Sequence, residues 1–274
     1  MTRRLFIASS ANGRLKAVRR LVRSGSTDLF VAEGARALRA ALAARARIDE
    51  IYASPDLYLG AEDALLVANA ERLGTRVLEI DAGAFRTLAR RARPDGILAL
   101  VERPPTALAR LELRPRALLA VAVAIERPGN LGTIVRTACA AGAEGLVVAD
   151  PCTDPFHRDV VRGSAGTIFH VPIATATSEQ ALAWLRMHSV QIVAATPDGA
   201  TPYRSARYDD AVAVVLGNER HGLPEAWLAA ADDAVAIPME PPADSLNVGV
   251  AAGILLFEAR HRRAVEQPHV AATG

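Results

Sequence analysis

Cysteine is scarce in this chain. Only Cys139 and Cys152 occur, with no CxxC pair and no His/Cys ligand spacing, so neither a disulfide framework nor a zinc or other metal site is expected. Lysine is scarcer still, Lys16 being the single one, with every other fixed cation an arginine. Alanine is abundant as well, a bias that a GC-rich genome explains, so arginine count alone carries no functional meaning. No apolar run approaches the eighteen or so residues of a membrane span. The short apolar stretch in MTRRLFIASSANGR makes a poor secretory signal, and a soluble, cytoplasmic protein is expected. Neither GxGxxG nor GxxxxGK[ST] is present, which removes the usual dinucleotide and P-loop readings.

What is there is a hydrophobic half of 274 residues, enough for one large domain or two ordinary ones. Net charge is only +2, but Arg3, Arg4, Arg14, Lys16, Arg19, Arg20 and Arg23 all precede the first acid, Asp28, and make a local positive field. The C-terminal half alternates short β-branched runs at 118–125, 145–149, 191–196, 211–217 and 234–239 with helix-like stretches near 132–142, 178–188, 223–231 and 245–263. Such near-continuous apolar runs suit parallel strands covered on both faces, and the alternation predicts an α/β fold. The N-terminal third is also mixed: helices near 14–24, 34–46 and 61–73, strands at 29–32, 48–53, 75–80 and 97–102. Pro104, Pro105 and Pro115 punctuate ERPPTALARLELRP. The expected division is a first domain over 1–105, a linker over 106–116, a second domain over 117–265 and a flexible tail over 266–274. There is no internal repeat.

In a parallel sheet, ligands bind at the carboxyl ends of the strands. The loops there read ERPGN, TPDG, GNERHG and MEPPADSLN, rich in glycine, proline and small polar residues that let backbone approach a ligand. Within ERPGNLGTIVRTACAAG, a helix beginning near Gly132 sets Ile134, Val135, Ala138, Cys139 and Gly142 on one face and Arg136 elsewhere, in the first turn. There an arginine opposes the helix dipole, at roughly 0.3–1 kcal/mol. Taken alone, Arg136 could be a solvated side chain and Asn130 a helix cap.

Three segments change that reading. ERPGNLGTIVRTACAAG (126–142), VVLGNERHGL (214–223) and IPMEPPADSLNVGVAAGILLFEA (237–259) resemble, in order and spacing, the three motifs of the SpoU/TrmH family of RNA 2′-O-ribose methyltransferases, within the SPOUT superfamily. RGSAGTIFHVPI (162–173) is similar to the segment after the first motif, and the core positions Asn130, Gly132, Arg136, Gly217, Glu219, Gly222, Ser245, Leu246 and Asn247 all fit. SANGRLKAVRRLVRSGSTDLFVAEGARAL resembles the substrate-binding domain that many members carry, a small α/β module like a large-subunit ribosomal protein. The resemblance implies a C-terminal domain with a deep trefoil knot, a homodimer, and S-adenosylmethionine held by Thr196, Gly217, Asn218, Ile237, Pro238, Met239, Ser245, Leu246 and Asn247. It implies catalytic roles for Arg136, Asn130, Glu219 and Asn247, with Glu219 tied to Arg136 or to the partner subunit. The substrate implied is 23S ribosomal RNA, and antibiotic self-resistance is one purpose such methylation serves.

Arg14, Lys16, Arg19, Arg20, Arg23 and Arg162 are the expected RNA contacts. With aromatics at 4% of the chain, phosphate contact and RNA shape should outweigh base stacking. The competing readings are a transfer-RNA methyltransferase, a non-catalytic RNA-binding or assembly factor of the same fold, and a nucleotide-dependent α/β enzyme. Residues of Gly249-x-x-x-Gly253 should serve close packing within the domain rather than a membrane contact.

Overall fold

The computed structural model describes residues 4–265, so Arg3 and the expected tail at 266–274 lie outside the described residues. The chain forms two compact units, one of residues 1–104 with 156–170, the other of 105–155 with 171–274.

The first unit is built on a five-stranded mixed sheet. Its elements are β1 (Leu5–Ile7), α1 (Gly13–Ser24), β2 (Leu29–Glu33), α2 (Ala35–Ala43), β3 (Ile48–Ala53), α3 (Ala61–Arg72), β4 (Arg76–Ile80), α4 (Ala82–Arg86) and β5 (Ile97–Glu102). Strand order is β1-β4-β3-β5-β2, with β4 parallel to β1 and β3, and β5 antiparallel to β2 and β3. Helix α1 is amphipathic. Asn12 caps it, its side-chain oxygen accepting from the Arg14 amide at 2.8 Å. Leu15 and Val18 drop into a core with Tyr52, Leu78, Phe85 and Leu98. The opposite face leaves Lys16, Arg20 and Arg23 exposed, at the i, i+4, i+7 spacing of one helix side. The short elements β1 and α4 have no counterpart in the sequence reading, since three to five residues are too few to carry a period.

The second unit is a seven-stranded sheet in which every pairing is parallel. Its chain order is β6 (Leu118–Val123), α5 (Pro128–Ala141), β7 (Gly145–Ala149), then α6 (Arg158–Gly163), which belongs to the first unit, then β8 (Ile173–Ala176), α7 (Ser178–Met187), β9 (Gln191–Ala195), β10 (Thr201–Pro202), β11 (Val212–Leu216), α8 (Glu225–Ala230), β12 (Asp233–Ala236) and α9 (Val248–Val265). Strand order is β10-β12-β9-β11-β6-β7-β8. Strands β6, β7 and β11 are buried at every residue, which is why their sequences run apolar without alternation. Leu185, Trp184 and Trp227 from α7 and α8 share a core with Leu119, Val121, Val147 and Val215. Helices α5 and α9 pack together against the sheet at β6 and β11. A Cβ on Gly249 would meet the Thr133 methyl carbon at 2.7 Å, whereas one on Gly253 would sit 4.0 Å from Thr137. Close approach of α9 to α5 therefore depends on Gly249.

Two expectations about organisation need correction. The segment expected to be a linker is part of the second unit: Leu111 is buried in its core, Leu108 and Leu113 pack against that core, and the Thr175 amide donates to the Thr106 carbonyl at 2.8 Å. Its leucines gain more by burial than the prolines can prevent. Residues 156–170, read as part of the second domain, cluster with the first unit. The Phe156 and Phe169 rings lie 5.1 and 5.8 Å from that of Phe30, and the Arg158 guanidinium donates to Glu33 at 2.8 Å, both side chains largely buried. Among the described residues no helix is long and apolar enough to cross a membrane.

Candidate active site

Helix α5 starts at Pro128, earlier than the sequence reading put it. Proline suits the first helical position, where its missing N–H would find no helical acceptor and its ring fixes φ. Two consequences follow. Asn130 lies inside the helix and is no cap, the capping position being Arg127. Arg136 stands about two turns in, beyond the first-turn reach of the dipole. Its side chain is exposed and has no hydrogen bond or ion pair among the described residues.

The second motif leaves the end of β11 in a tight loop. The amides of Asn218 and Gly222 donate to each other's carbonyls at 3.0 Å, closing residues 218–222. A Cβ on Gly217 would come within 2.4 Å of the Gly222 carbonyl carbon, and Gly222 itself has φ of 65°, so both glycines are required by backbone contact or conformation. Asn218 holds the loop to its neighbours: its side-chain oxygen accepts from the Arg220 and His221 amides, and its amide donates to the Ala124 carbonyl at 2.8 Å.

Glu219 is the junction of the site. It accepts from the Glu126 amide at 3.1 Å, the Arg127 amide at 3.1 Å and the Asn130 side-chain amide at 2.8 Å. The Asn130 oxygen in turn accepts from the Asn247 side-chain amide at 3.0 Å, and the Asn247 oxygen accepts from the Gly249 amide at 2.9 Å. One hydrogen-bonded chain thus joins the first, second and third motifs. Partial burial opposes the charge on Glu219, but the bonds from Asn130 and from backbone amides outweigh it and hold the carboxyl below the usual range. The tie expected between Glu219 and Arg136 does not form within the chain. Thr153, which the sequence reading did not single out, is buried and donates from its hydroxyl to the Glu126 carbonyl at 2.6 Å, fixing the loop between β6 and α5 that presents the amides of 126 and 127. An isolated threonine in a loop carries no sequence signal for that role.

This chain of side chains borders a cavity of about 550 Å³ at the carboxyl ends of four adjacent strands, β12, β9, β11 and β6. That volume is in the range of small-molecule sites, roughly 300–1,000 Å³. Thr196, Gly217, Asn218, Ile237, Met239, Ser245, Leu246 and Asn247 line it, together with Asn130 and Glu219. Pro238 and Arg136 are not among its walls. The walls also include Arg127 and Arg220, which the sequence reading passed over because an arginine beside a glycine loop has no distinctive spacing. Of the expected RNA contacts, Lys16, Arg20, Arg23 and Arg162 are exposed. Arg14 is committed to Glu50 at 3.0 Å, Arg19 donates to the Ser10 carbonyl, and Arg162 pairs with Asp159 at 3.3 Å in the first unit.

The chain matches the SpoU rRNA Methylase family over residues 117–257 and the MRM3-like substrate binding domain over residues 12–99. It is 28% identical over 234 residues to the 23S rRNA (guanosine(2553)-2′-O)-methyltransferase RlmP of Bacillus subtilis, covering 85% of this chain and 89% of that one. Against the 23S rRNA (adenosine(1067)-2′-O)-methyltransferase of Streptomyces laurentii it is 34% identical over 207 residues, 74% of this chain and 76% of that one. The crystal structure of an AdoMet-bound rRNA methyltransferase from Sinorhizobium meliloti is similar at a TM-score of 0.85 and 33% identity, over 93% of this chain and 97% of that chain.

Because the Glu219 carboxyl is depressed in the folded state, its contribution to stability is present above the unfolded value, about 4.3, and disappears as pH falls through the folded value. Glu219→Gln keeps one accepting oxygen but loses the charge. Solvent screening limits the expected loss to about 1 kcal/mol at pH 7. In urea denaturation followed from pH 7 to pH 3, the gap between wild type and variant should close only below the usual carboxylate range; a gap that does not change with pH would sink this account.

Proposed function

The chain belongs to the SpoU rRNA Methylase family, and from that premise we propose that its substrate is a ribose 2′-hydroxyl of large-subunit ribosomal RNA. That it is an S-adenosylmethionine-dependent RNA 2′-O-methyltransferase follows from the membership itself. The observation that carries the reading is the cavity bordered by Asn130, Glu219 and Asn247. Its make-up suits the methyl donor: Val235, Ile237, Leu246 and Val248 offer an apolar slot for a purine, and the loop at Gly217 offers backbone donors and acceptors. We take the three wall-forming loops, at 196–197, 217–222 and 237–247, to be the knotted segment that the family resemblance implies.

When bound, S-adenosylmethionine supplies a methyl carbon made electrophilic by its sulfonium. The chain's own task is to align the ribose oxygen and help its proton leave. Glu219 fixes which end of the Asn130 amide faces it, and its lowered proton affinity makes it a poor base, so we assign it a positioning role. The Asn130 oxygen accepts from Asn247 and keeps a second lone pair for the acceptor hydroxyl. Arg136 holds the ribose and its phosphate; a guanidinium keeps its proton too firmly to serve easily as a base.

Arg136 does not line the cavity of its own chain, and this favours a homodimer in which a second copy completes the site. Helix α9 supports it. Val250 and Phe257, seven residues apart on one helix side, are exposed at 51% and 46%, and Leu246 just ahead of the helix at 39%. For substrate binding, the exposed cations of α1 make the electrostatic contact, and the match of the first unit to a substrate binding domain agrees with that use. We assign the protein to the cytoplasm, where ribosomal RNA is matured.

The test is methyl-labelled S-adenosylmethionine with unmodified 23S ribosomal RNA, mapped by resistance to alkaline cleavage. One alkali-resistant linkage is expected, and the nucleotide it marks distinguishes maturation from antibiotic resistance. Cofactor binding without incorporation into 23S RNA or large subunits would refute the assignment. Arg136→Ala should keep cofactor affinity and lose at least about 100-fold in turnover, a loss of about 2.7 kcal/mol of transition-state stabilisation; undiminished turnover would remove it from the reaction. Charge reversal of Lys16, Arg20 and Arg23 together should weaken RNA binding at least about tenfold in filter assays at about 0.1 M salt while cofactor affinity holds, and equal RNA affinity would reject the helix as the contact. Phe257→Asp should halve the mass measured by light scattering; an unchanged mass places the dimer contact elsewhere.

A further inference from the structure

The cavity walls carry three charged side chains, Arg127, Glu219 and Arg220. The carboxylate is satisfied by Asn130 and two backbone amides, whereas neither guanidinium has a hydrogen bond or ion pair among the described residues. Both arginines are exposed, and their backbones are fixed to one another through the same carboxylate: the Arg127 amide donates to Glu219, and Arg220 is the next residue, its own amide held by the Asn218 oxygen at 2.9 Å. Two cations without a protein partner among the described residues thus line one cavity, on backbone held by the same carboxylate and its neighbouring loop, an arrangement suited to an anion from outside the chain.

We propose that Arg127 and Arg220 form a phosphate clamp that grips an RNA phosphodiester beside the acceptor ribose. The proposal rests on the reading of the cavity as an RNA methyltransferase site, and it adds two residues to the substrate contacts given above. The sulfonium is itself a cation and repels two guanidiniums, leaving the cofactor's carboxylate as the competing anion; a backbone phosphate presents oxygens that a guanidinium meets in bidentate fashion. The clamp acts after the basic helix α1 has attracted the RNA, by fixing one nucleotide at the cavity instead of attracting the strand as a whole. Glu219 then serves both tasks, orienting Asn130 through its side-chain contact and seating the two arginines through the backbone.

The test is nitrocellulose filter binding of unmodified 23S ribosomal RNA transcribed in vitro, as a function of salt, with the double variant R127Q/R220Q. Losing the neutralisation of one phosphate of single-stranded RNA should reduce the slope of log affinity against log salt by about 0.7. The expected result is a slope shallower by about 0.7 and an affinity at least about tenfold lower, with S-adenosylmethionine affinity by calorimetry within about twofold of wild type. The R127K/R220K variant, which retains the charges, should recover most of the slope. An unchanged slope and affinity in R127Q/R220Q would overturn the clamp. So would a tenfold loss of cofactor affinity with the RNA slope intact, because the arginines would then serve the cofactor's carboxylate. Filter binding needs no turnover: a wild type that fails to methylate RNA refutes the parent reading, while the slope still reports on the clamp.

Discussion

A carboxylate on a loop between strand and helix organises this molecule's chemistry. Glu219 accepts hydrogen bonds from the loop at 126–127 and from a helical side chain at 130, segments about ninety residues away in sequence. A side-chain amide has one donating end and one accepting end, and a fixed anion on one side decides which end faces the cavity. Were Glu219 neutral or absent, Asn130 could turn over, Asn247 would face another donor, and the third motif would lose its register against the first. Charge is thus used locally, as a reference direction for neutral groups.

That arrangement depends on the packing beneath it. An all-parallel sheet buried on both faces brings the ends of β6, β9, β11 and β12 to one edge, where loops from remote parts of the chain meet. Glycine sets how closely they meet. Gly217 lets the second motif fold back on Gly222, and Gly249 lets α9 lie against Thr133 of α5. Asn247 sits just before that contact, so the separation between two helices controls the reach of a hydrogen-bonding side chain.

Much of this was legible in the sequence. Buried parallel strands leave continuous β-branched runs, and the five long runs of the C-terminal half fall on β6, β7, β9, β11 and β12 within a residue or two, except at the carboxyl end of β12. The loop glycines and the three motifs pointed to the residues that line the cavity. What escaped was of two kinds. Short elements such as β1, β8, α4 and α6 exist because of tertiary contacts, and a period cannot be read from so few residues. Partnerships across the chain were invisible too: nothing in the letters distinguishes a solvated Arg127 from one at a cavity rim, or tells Thr153 from any loop threonine. Helix α5 starts at Pro128 instead of near Gly132, because a proline already suits the first helical position.

The chain crosses between its two units at residues 104–105, again at 155–156 and again at 170–171. The small unit is therefore not encoded by one continuous stretch of sequence. Phe156, Val160, Val161 and Ile168 are each at most 6% exposed, in a segment that lies within the larger unit's sequence and clusters with the smaller. Grafting the continuous stretch from residue 105 onward onto a different substrate-recognising module would strip these side chains of their cover, and a new module would have to bring a matching apolar surface of its own. Recognition and catalysis are encoded in interleaved stretches, so in this architecture a change of RNA target is more readily made by substitution on an existing surface than by exchange of a whole domain.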